Sequence, residues 1–315
     1  MNKTFIAIAV TAALGAGVAS GQDFPNKPIR ILTSPVGSSV DFVARVIAQG
    51  LAVHLGQPVI VENLAARVAL GINLSKAPPD GYTLLIAGGS FWIGPLLQKT
   101  PWDPVKDFLP ISMMAKTTNI LMVHPSLPVK SVKELIALAK ARPGELSFAR
   151  GGTGGSSHLA GELFTAMAGV KIVGIAYTSG AQEIADLLSG RVQLTFGSSA
   201  LVPHAKSGKL RALAVTTKEP SPLAPGLPTV AASGLPGFEA ESQTGLLTTD
   251  KTPAPIINRL SQEVVRVLHM PDVKEKLLNS GTEPVGSSPE ELAALIKSEM
   301  AKWGKVIKDA GITVN

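Results

Sequence analysis

The strongest constraint on the fold of this chain is a unit that repeats from residue 28 onward: a short apolar strand, a small polar turn and a helix. Residues 29–33 predict the first strand, and the helix that follows has apolar positions at helical spacing and ends at Gly56. Further apolar runs at residues 59–61 and 82–87 predict two more strands. Strands that alternate with helices pair in parallel, so we expect an α/β fold.

The same alternation continues beyond residues 124–128, where two prolines interrupt it, and this predicts a second sheet. At 315 residues the chain exceeds one typical core. We place the crossings between two lobes at residues 124–128 and 244–248. The predicted first lobe comprises residues 22–123 plus 246–315, and the second comprises residues 124–245. Each lobe is expected to be a mostly parallel sheet flanked by helices.

The first residues have the pattern of a secretory signal peptide. Lys3 supplies a positive charge, residues 5–18 are apolar, and residues 19–21 are small, as a cleavage site requires. The apolar run is shorter than the roughly 20 residues of a membrane span. The chain has no cysteine, which excludes disulfides and thiolate metal sites. We therefore predict a signal peptide over residues 1–21 and a periplasmic location.

Composition argues against nucleic-acid binding. The formal net charge is +6, but the basic residues are scattered along the chain, and aromatic residues make up only 4%. A nucleic-acid surface needs clustered cations or a stacking platform. The positive charge favours anionic ligands modestly through the overall field, and it also serves solubility.

A turn rich in Gly and Ser at residues 150–157 joins a short apolar strand to a helix. Leu159, Leu163 and Met167 recur at helical spacing, and Ser156 or Ser157 is the expected N-cap. A helix start leaves backbone N–H groups unpaired and carries partial positive charge, and glycines allow another molecule to approach closely. We therefore predict that this turn is half of a carboxylate-binding site.

Four polar side chains near the predicted turns have alternative roles. Arg150, at a strand end, can grip a carboxylate with two hydrogen bonds, extend into solvent or pair with a structural acid. Asp41 lies in the first turn of its helix and is expected to hold that turn rather than contact a ligand. His158 is expected to make a structural hydrogen bond, because the sequence names no catalytic partner for it. Tyr177 can hydrogen-bond across a cleft or pack internally.

Phe91 and Trp92 follow Ser90 at the end of the third predicted strand. Core packing is the default for this pair. If either side chain lines the crevice, it favours a ligand with a flat apolar body, such as an aromatic acid.

Several motifs occur in a fixed order along the chain after the predicted signal peptide. They are Phe24-Pro25-Asn26-Lys27-Pro28-Ile29-Arg30, Val61-Glu62-Asn63, Pro79-Asp80-Gly81-Tyr82-Thr83-Leu84-Leu85, Asp103-Pro104-Val105-Lys106-Asp107-Phe108, Ser156-Ser157-His158-Leu159-Ala160-Gly161-Glu162-Leu163-Phe164, Leu227-Pro228-Thr229-Val230 and Gly234-Leu235-Pro236-Gly237-Phe238. In these motifs the chain resembles the Bug-type substrate-binding proteins of tripartite tricarboxylate transporters. The resemblance implies a type II-like periplasmic-binding-protein clamshell. It also implies that the ligand lies between the lobes, held by the turn after the first strand and by the Gly-rich turn.

The chain departs from the family pattern at the implied site. The family's Pro-Gly-Gly is replaced by Val36-Gly37-Ser38, and the glycine-rich segment after Glu62-Asn63 is replaced by residues 64–71, Leu-Ala-Ala-Arg-Val-Ala-Leu-Gly. Arg150 stands where the family commonly has Ser, and residues 177–180 lack the usual lysine. The fold is expected to survive these changes, whereas the identity of the ligand can differ.

The resemblance implies a periplasmic receptor that captures a small organic carboxylate and delivers it to a membrane permease, without catalysis, cofactor or metal. We expect a monomer, and an aromatic carboxylate is one option for the ligand. Two alternatives stay open: a solute sensor that docks on a membrane kinase, and an enzyme that binds a nucleotide at the Gly-rich turn. The candidate ligand contacts lie in the two turns and at strand ends: Gly37, Ser38, Ser39, Asp41, Ser90, Arg150, Thr153, Gly154, Ser156, Tyr177 and Ser198.

Overall fold

Strands and helices alternate over most of the chain in the computed structural model, which describes residues 24–310 except 65, 153 and 178. The predicted signal peptide and the candidate residue Thr153 lie outside the described residues. The strands are β1 (Ile29–Thr33), β2 (Val59–Asn63), β3 (Thr83–Gly88), β4 (Phe108–Thr117), β5 (Asn119–Val123), β6 (Ser147–Arg150), β7 (Val173–Ala176), β8 (Leu194–Ser198), β9 (Arg211–Val215), β10 (Ser242–Thr249) and β11 (Thr282–Pro284). The helices are α1 (Ser39–Leu55), α2 (Arg67–Ser75), α3 (Ser90–Ile93), α4 (Val132–Ala141), α5 (Ser156–Ala168), α6 (Gly180–Leu188), α7 (Val202–Lys206), α8 (Ala254–Leu268), α9 (Pro271–Asn279) and α10 (Pro289–Ala310).

The described residues form two sheets, as predicted. The first has six strands in the order β11-β4-β10-β3-β1-β2, and the second has five in the order β7-β6-β8-β5-β9. Helices flank both sheets, which confirms the α/β fold class. Strands β3 and β5 lie in the interior of their sheets and are buried on both faces, as their nearly continuous apolar sequences require.

The prediction that each sheet is mostly parallel is wrong. Only the trio β3-β1-β2 in the first sheet and the trio β7-β6-β8 in the second pair in parallel among the described strands. The strands β10, β4 and β11 of the first sheet and β5 and β9 of the second pair antiparallel to their neighbours. The parallel trios are the parts of the sheets built from strand–turn–helix units. The repeated unit therefore predicted these trios but not the antiparallel strands.

The predicted crossings between lobes also need correction. Strand β5, assigned above to the first lobe, pairs with β8 and β9 in the second sheet. The chain therefore leaves the first sheet at Thr118, between β4 and β5, and not at residues 124–128. It returns at Glu241, because Ala240 donates its N–H to Thr216 beside the second sheet and β10 then joins the first sheet at Ser242.

Local sequence sets several helix ends, and the predicted end of α1 at Gly56 is confirmed. Gly56 ends α1 in the left-handed conformation at φ 64°. Ser131 accepts a hydrogen bond from the N–H of Glu134 at the start of α4, and Ser288 and Glu291 cap α10 reciprocally. In the described part of the chain, no helix combines the length and the apolar character needed to cross a membrane.

Candidate functional site

The turn between β1 and α1 is fixed by the buried carboxylate of Asp41. It accepts hydrogen bonds from the N–H of Gly37 at 2.9 Å, from Nδ2 of Asn63 at 2.7 Å and from Nε of Arg45 at 3.2 Å. Ser38 caps the helix by accepting from the N–H of Asp41 at 3.1 Å. Burial by itself raises the pKa of Asp41, but these donors outweigh it and the pKa is lowered. Asp41 thus holds the turn, as its position in the helix indicated.

The Gly-rich turn between β6 and α5 is pinned by side chains from the first turn of α5. The N–H of Gly151 donates to Oγ of Ser157, and the N–H of Gly154 donates to Nδ1 of His158, both at 3.0 Å. Gly154 has φ 76°, a conformation that favours glycine. The predicted serine N-cap is wrong: the N-cap is Gly155, and no side-chain hydrogen bond caps it. Ser157 instead shapes the turn by accepting the Gly151 N–H.

His158 is buried and makes the structural hydrogen bond that its sequence context predicted. Because its Nδ1 accepts the Gly154 N–H, the ring is neutral, with its proton on Nε2, which lies 3.7 Å from Oε1 of Glu162. Burial, and secondarily the charge of Arg150, lowers the pKa of His158 to about 4. Burial raises the pKa of Glu162, while Arg150 opposes that rise.

The first turns of α1 and α5 face the same cavity, of about 170 Å³, which we call the serine chamber. Serines and glycines from both turns and from the end of β3 line it, together with the segment through which the chain returns to the first sheet. Its wall consists of Ser39, Val40, Gly88, Gly89, Ser90, Ile93, Gly154, Ser156, Leu159, Ala240, Glu241, Ser242, Gln243 and Trp303. Two helix starts, one beside each sheet, therefore converge on one space, as the two-turn prediction required.

A second cavity of about 380 Å³ adjoins the first, and Gly88 and Ser90 belong to both walls. We call it the arginine chamber, because Arg67 at the start of α2 lines it. The remaining wall is mostly apolar or glycine: Ser34, Pro35, Leu64, Leu70, Ala87, Phe91, Gly152 and Gly155. Burial lowers the pKa of Arg67 from its usual value. Phe91 touches this cavity but is only 1% exposed and stacks on Trp102, so both Phe91 and Trp92 belong to the core, which was the default expectation.

The structure brings together part of the predicted contact set. Ser39, Ser90, Gly154 and Ser156 line the serine chamber. Gly37, Ser38 and Asp41 build the turn behind Ser39 and do not themselves line either chamber.

Arg150, Tyr177 and Ser198 do not line either chamber among the described residues. The hydroxyl of Tyr177 donates to Asp186 at 2.9 Å, so of its two alternative roles the hydrogen bond across the cleft does not form. Nη1 of Arg150 donates at 3.5 Å to the carbonyl of Gly151, so Arg150 supports the turn from behind. Ser198 is the last residue of β8, the central strand of the second sheet, and pairs with Asn119 of β5.

Sequence reasoning missed Arg67 and the return segment around Glu241. Arg67 is the one basic residue in the stretch 64–71 that replaces the family's glycine-rich segment, and this was the available signal. No sequence signal marked Glu241, because it lies at the cleft only as a result of the path that the chain takes between the two sheets. Its carboxylate pairs with Lys116 at 3.3 Å.

Comparisons with known proteins agree with this geometry. The sequence model described as "Tripartite tricarboxylate transporter family receptor" matches residues 43–312. The chain belongs to this family. It is 34% identical over 308 residues to Protein BugT of Bordetella pertussis, which covers 96% of this chain and 94% of BugT. The resemblance to Bug-type binding proteins is therefore confirmed.

Two similar solved structures contain carboxylates. The structure of R. palustris Rpa4515 with adipate has a TM-score of 0.83, 36% identity and coverage of 92% of this chain and 99% of that one. MatC from Rhodopseudomonas palustris with bound malate has a TM-score of 0.79, 27% identity and coverage of 90% and 100%. This family member thus has the fold of periplasmic solute-binding receptors whose relatives hold small dicarboxylates.

Proposed function

We propose that this chain is a periplasmic receptor that binds a small organic carboxylate between its two sheets. The observation that carries the proposal is the serine chamber, where the first turns of α1 and α5 meet. The start of α5 has no side-chain cap, so its first N–H groups are donors for a ligand. Carboxylate oxygens suit such donors because they accept several hydrogen bonds each and are attracted by the helix dipole.

Ser39, Ser90, Gly154 and Ser156 are the proposed ligand contacts, and the predicted contact Thr153 lies outside the described residues. The hydroxyls add donors that can rotate to suit the ligand. Glu241 is the acid in this wall, and its pairing with Lys116 offsets its charge. The ion pair with Lys116 therefore reduces the repulsion between Glu241 and a bound carboxylate.

We propose further that each sheet with its helices acts as a lobe, and that the crossings at Thr118 and Glu241 act as the hinge. A ligand held by both turns binds the closed arrangement better than an open one, and this difference in affinity shifts the population toward closure. Closure then creates a surface that the permease of a tripartite tricarboxylate transporter can recognise. We also propose that a signal peptide directs export of the chain and is then cleaved.

A thermal-shift screen tests carboxylate binding. The purified chain is mixed with mono-, di- and tricarboxylates, including aromatic ones, and with sugars and amines of similar size. Carboxylates are expected to raise the melting temperature, since a ligand at 100 times its Kd adds about 2.7 kcal/mol of stability. A response confined to sugars or amines would refute the proposal.

Matched variants locate the response. Ser39→Trp fills the serine chamber and is expected to abolish the carboxylate-dependent shift. Ser207→Trp places the same side chain at an exposed position after α7 and is expected to retain it. Equal responses from both variants would place the binding site elsewhere.

A further inference from the structure

A groove at the outer edge of the second sheet is separate from the two chambers. Its volume is about 560 Å³, and it shares no lining residue with the serine chamber or the arginine chamber. The wall comes mainly from α7, from β9 at the edge of the sheet and from the loop that follows β9. We call it the alanine groove, and its apolar lining includes Val202, Ala205, Leu210, Ala212, Leu223 and Leu227.

The apolar character of the groove follows from the local sequence. The loop at residues 222–228 reads Pro-Leu-Ala-Pro-Gly-Leu-Pro, and because proline has no N–H, this loop offers hydrocarbon rather than hydrogen-bond donors. Ala205 and Ala212 are half-buried in the wall, and their methyl groups leave the space in front of them open. The result is a concave apolar surface that is exposed to water.

Among the described residues that line the groove, the charged side chains are Lys206 and Arg211, both cations. Lys206 is exposed. Nη1 of Arg211 donates to the carbonyls of Leu127 at 3.2 Å and Val129 at 2.7 Å, which orients the guanidinium without neutralising its charge. Residues 187–218 contain five Lys or Arg residues and no Asp or Glu, and residues 220–238 are uncharged. The groove therefore attracts an anion and repels a cation.

We propose that the alanine groove is a second ligand site, which takes an amphipathic anion: a monocarboxylate on an unbranched hydrocarbon chain of medium length. The hydrocarbon chain lies against the alanines and leucines of the wall, and the carboxylate stays near water and pairs with the ammonium group of Lys206. The inference is independent of the proposed function, because the groove and the chambers have no lining residue in common.

The chemistry of the wall selects this class of ligand over others. The volume of the groove lies within the range of about 300–1,000 Å³ that is usual for small-molecule sites. A sugar would lose water from its hydroxyls against Leu223 and Leu227 without gaining partners there. An extended peptide would bring backbone N–H and C=O groups that need partners, whereas Pro125 and Pro225 in the wall have no N–H to donate.

A titration followed by methyl NMR tests the proposal, because both candidate sites contain methyl groups that report on binding. At neutral pH, octanoate is expected to cause saturable shifts of the methyl signals of Val202, Leu223 and Leu227. Val40 and Leu159 report separately on the serine chamber. Octan-1-ol, which has the same chain and no charge, is expected to bind about twofold to fivefold more weakly, the range of an exposed ion pair. Added salt should weaken octanoate binding and leave octan-1-ol binding unchanged.

Matched variants locate the hydrocarbon chain. Ala205→Trp fills the groove and is expected to abolish the octanoate-dependent shifts there. Ala301→Trp places the same side chain at an exposed position on α10 and is expected to retain them. If Ala205→Trp does not fold, Ala212→Leu serves instead, because it narrows the same space from β9.

A second pair of variants tests the charge. Lys206→Met keeps a long apolar side chain, so it is expected to reduce the preference for octanoate over octan-1-ol and to leave octan-1-ol binding unchanged. Lys209→Met removes a neighbouring exposed cation that does not line the groove and is expected to keep the preference.

The proposal is overturned if octanoate shifts only the methyl signals of the serine chamber, or shifts none. Octanoate-dependent shifts that persist in the Ala205→Trp chain would also overturn it, as would equal binding of octanoate and octan-1-ol. None of these results would affect the proposed carboxylate site between the sheets, which is tested by the thermal-shift screen.

Discussion

At the scale of single residues, Asn63 shows how a motif residue acts through its partners. Its Nδ2 donates to the carbonyl of Ser34 at 2.6 Å and to Asp41 at 2.7 Å, and its Oδ1 accepts from Arg45 at 2.8 Å. One amide thereby ties the end of β2 to the turn after β1. The motif Val61-Glu62-Asn63 marked the residue in the sequence, but its partners lie 18 to 29 positions away in the chain.

His158 makes stability depend on pH. Its pKa is about 4 in the folded chain against an ordinary value of 6.5. Above pH 6.5 both states hold the neutral ring, and below it the unfolded chain takes up a proton that the folded chain does not. We therefore expect the free energy of unfolding to fall by about 3 kcal/mol from this group as the pH drops from 6.5 to 4.

Urea unfolding at a series of pH values measures this contribution. His158→Gln should flatten the pH dependence in that interval, because glutamine does not titrate. A His158→Gln chain with the wild-type pH dependence would show that another group is responsible.

At the scale of elements, close packing of α5 on β6 sets the position of the Gly-rich turn. A Cβ at Gly161 would lie 2.1 Å from Cε2 of the buried Phe148 ring, whereas a Cβ at Gly304 in α10 meets nothing within 4 Å. Gly161→Ala is therefore expected to lower the free energy of unfolding by about 1–3 kcal/mol through overpacking. Gly304→Ala is expected to raise it by about 0.5–1 kcal/mol, since alanine favours the helix.

Chemical denaturation of the two variants beside the wild type checks this pair. Both substitutions add one methyl group within a helix, so intrinsic helix propensity favours both equally and only the surroundings differ. Equal stabilisation by both would mean that α5 can move away from the sheet without cost, contrary to the contact seen here.

At the scale of the whole molecule, the chain crosses between the sheets at Thr118 and Glu241. The hydroxyls of Thr118 and Ser221 lie 2.8 Å apart and hold the first crossing. If the sheets move as lobes about these points, saturating adipate is expected to reduce the radius of gyration measured by small-angle X-ray scattering. The Ser39→Trp chain should show no reduction and the Ser207→Trp chain a full one. Binding of adipate by the wild type without compaction would contradict a closing clamshell.

The local sequence correctly predicted those features of the fold that depend on interactions between residues close together in the chain. The strand–turn–helix units and the left-handed stop at Gly56 each depend on residues a few positions apart. Strand β4 escaped prediction because it carries Pro110 and pairs with β10 through two register shifts, which break the alternation that marks a strand.

The sequence by itself therefore determined the α/β class, the parallel trios, the family and the two polar turns at which we propose that a ligand binds. Only the tertiary structure decided the antiparallel strands, the points of crossing and the presence of Arg67 in the wall beside the serine chamber. The physical reason is that these features depend on contacts between residues far apart in the chain, such as Arg67 with Gly154. The periodicity and capping residues of a single segment do not indicate such contacts.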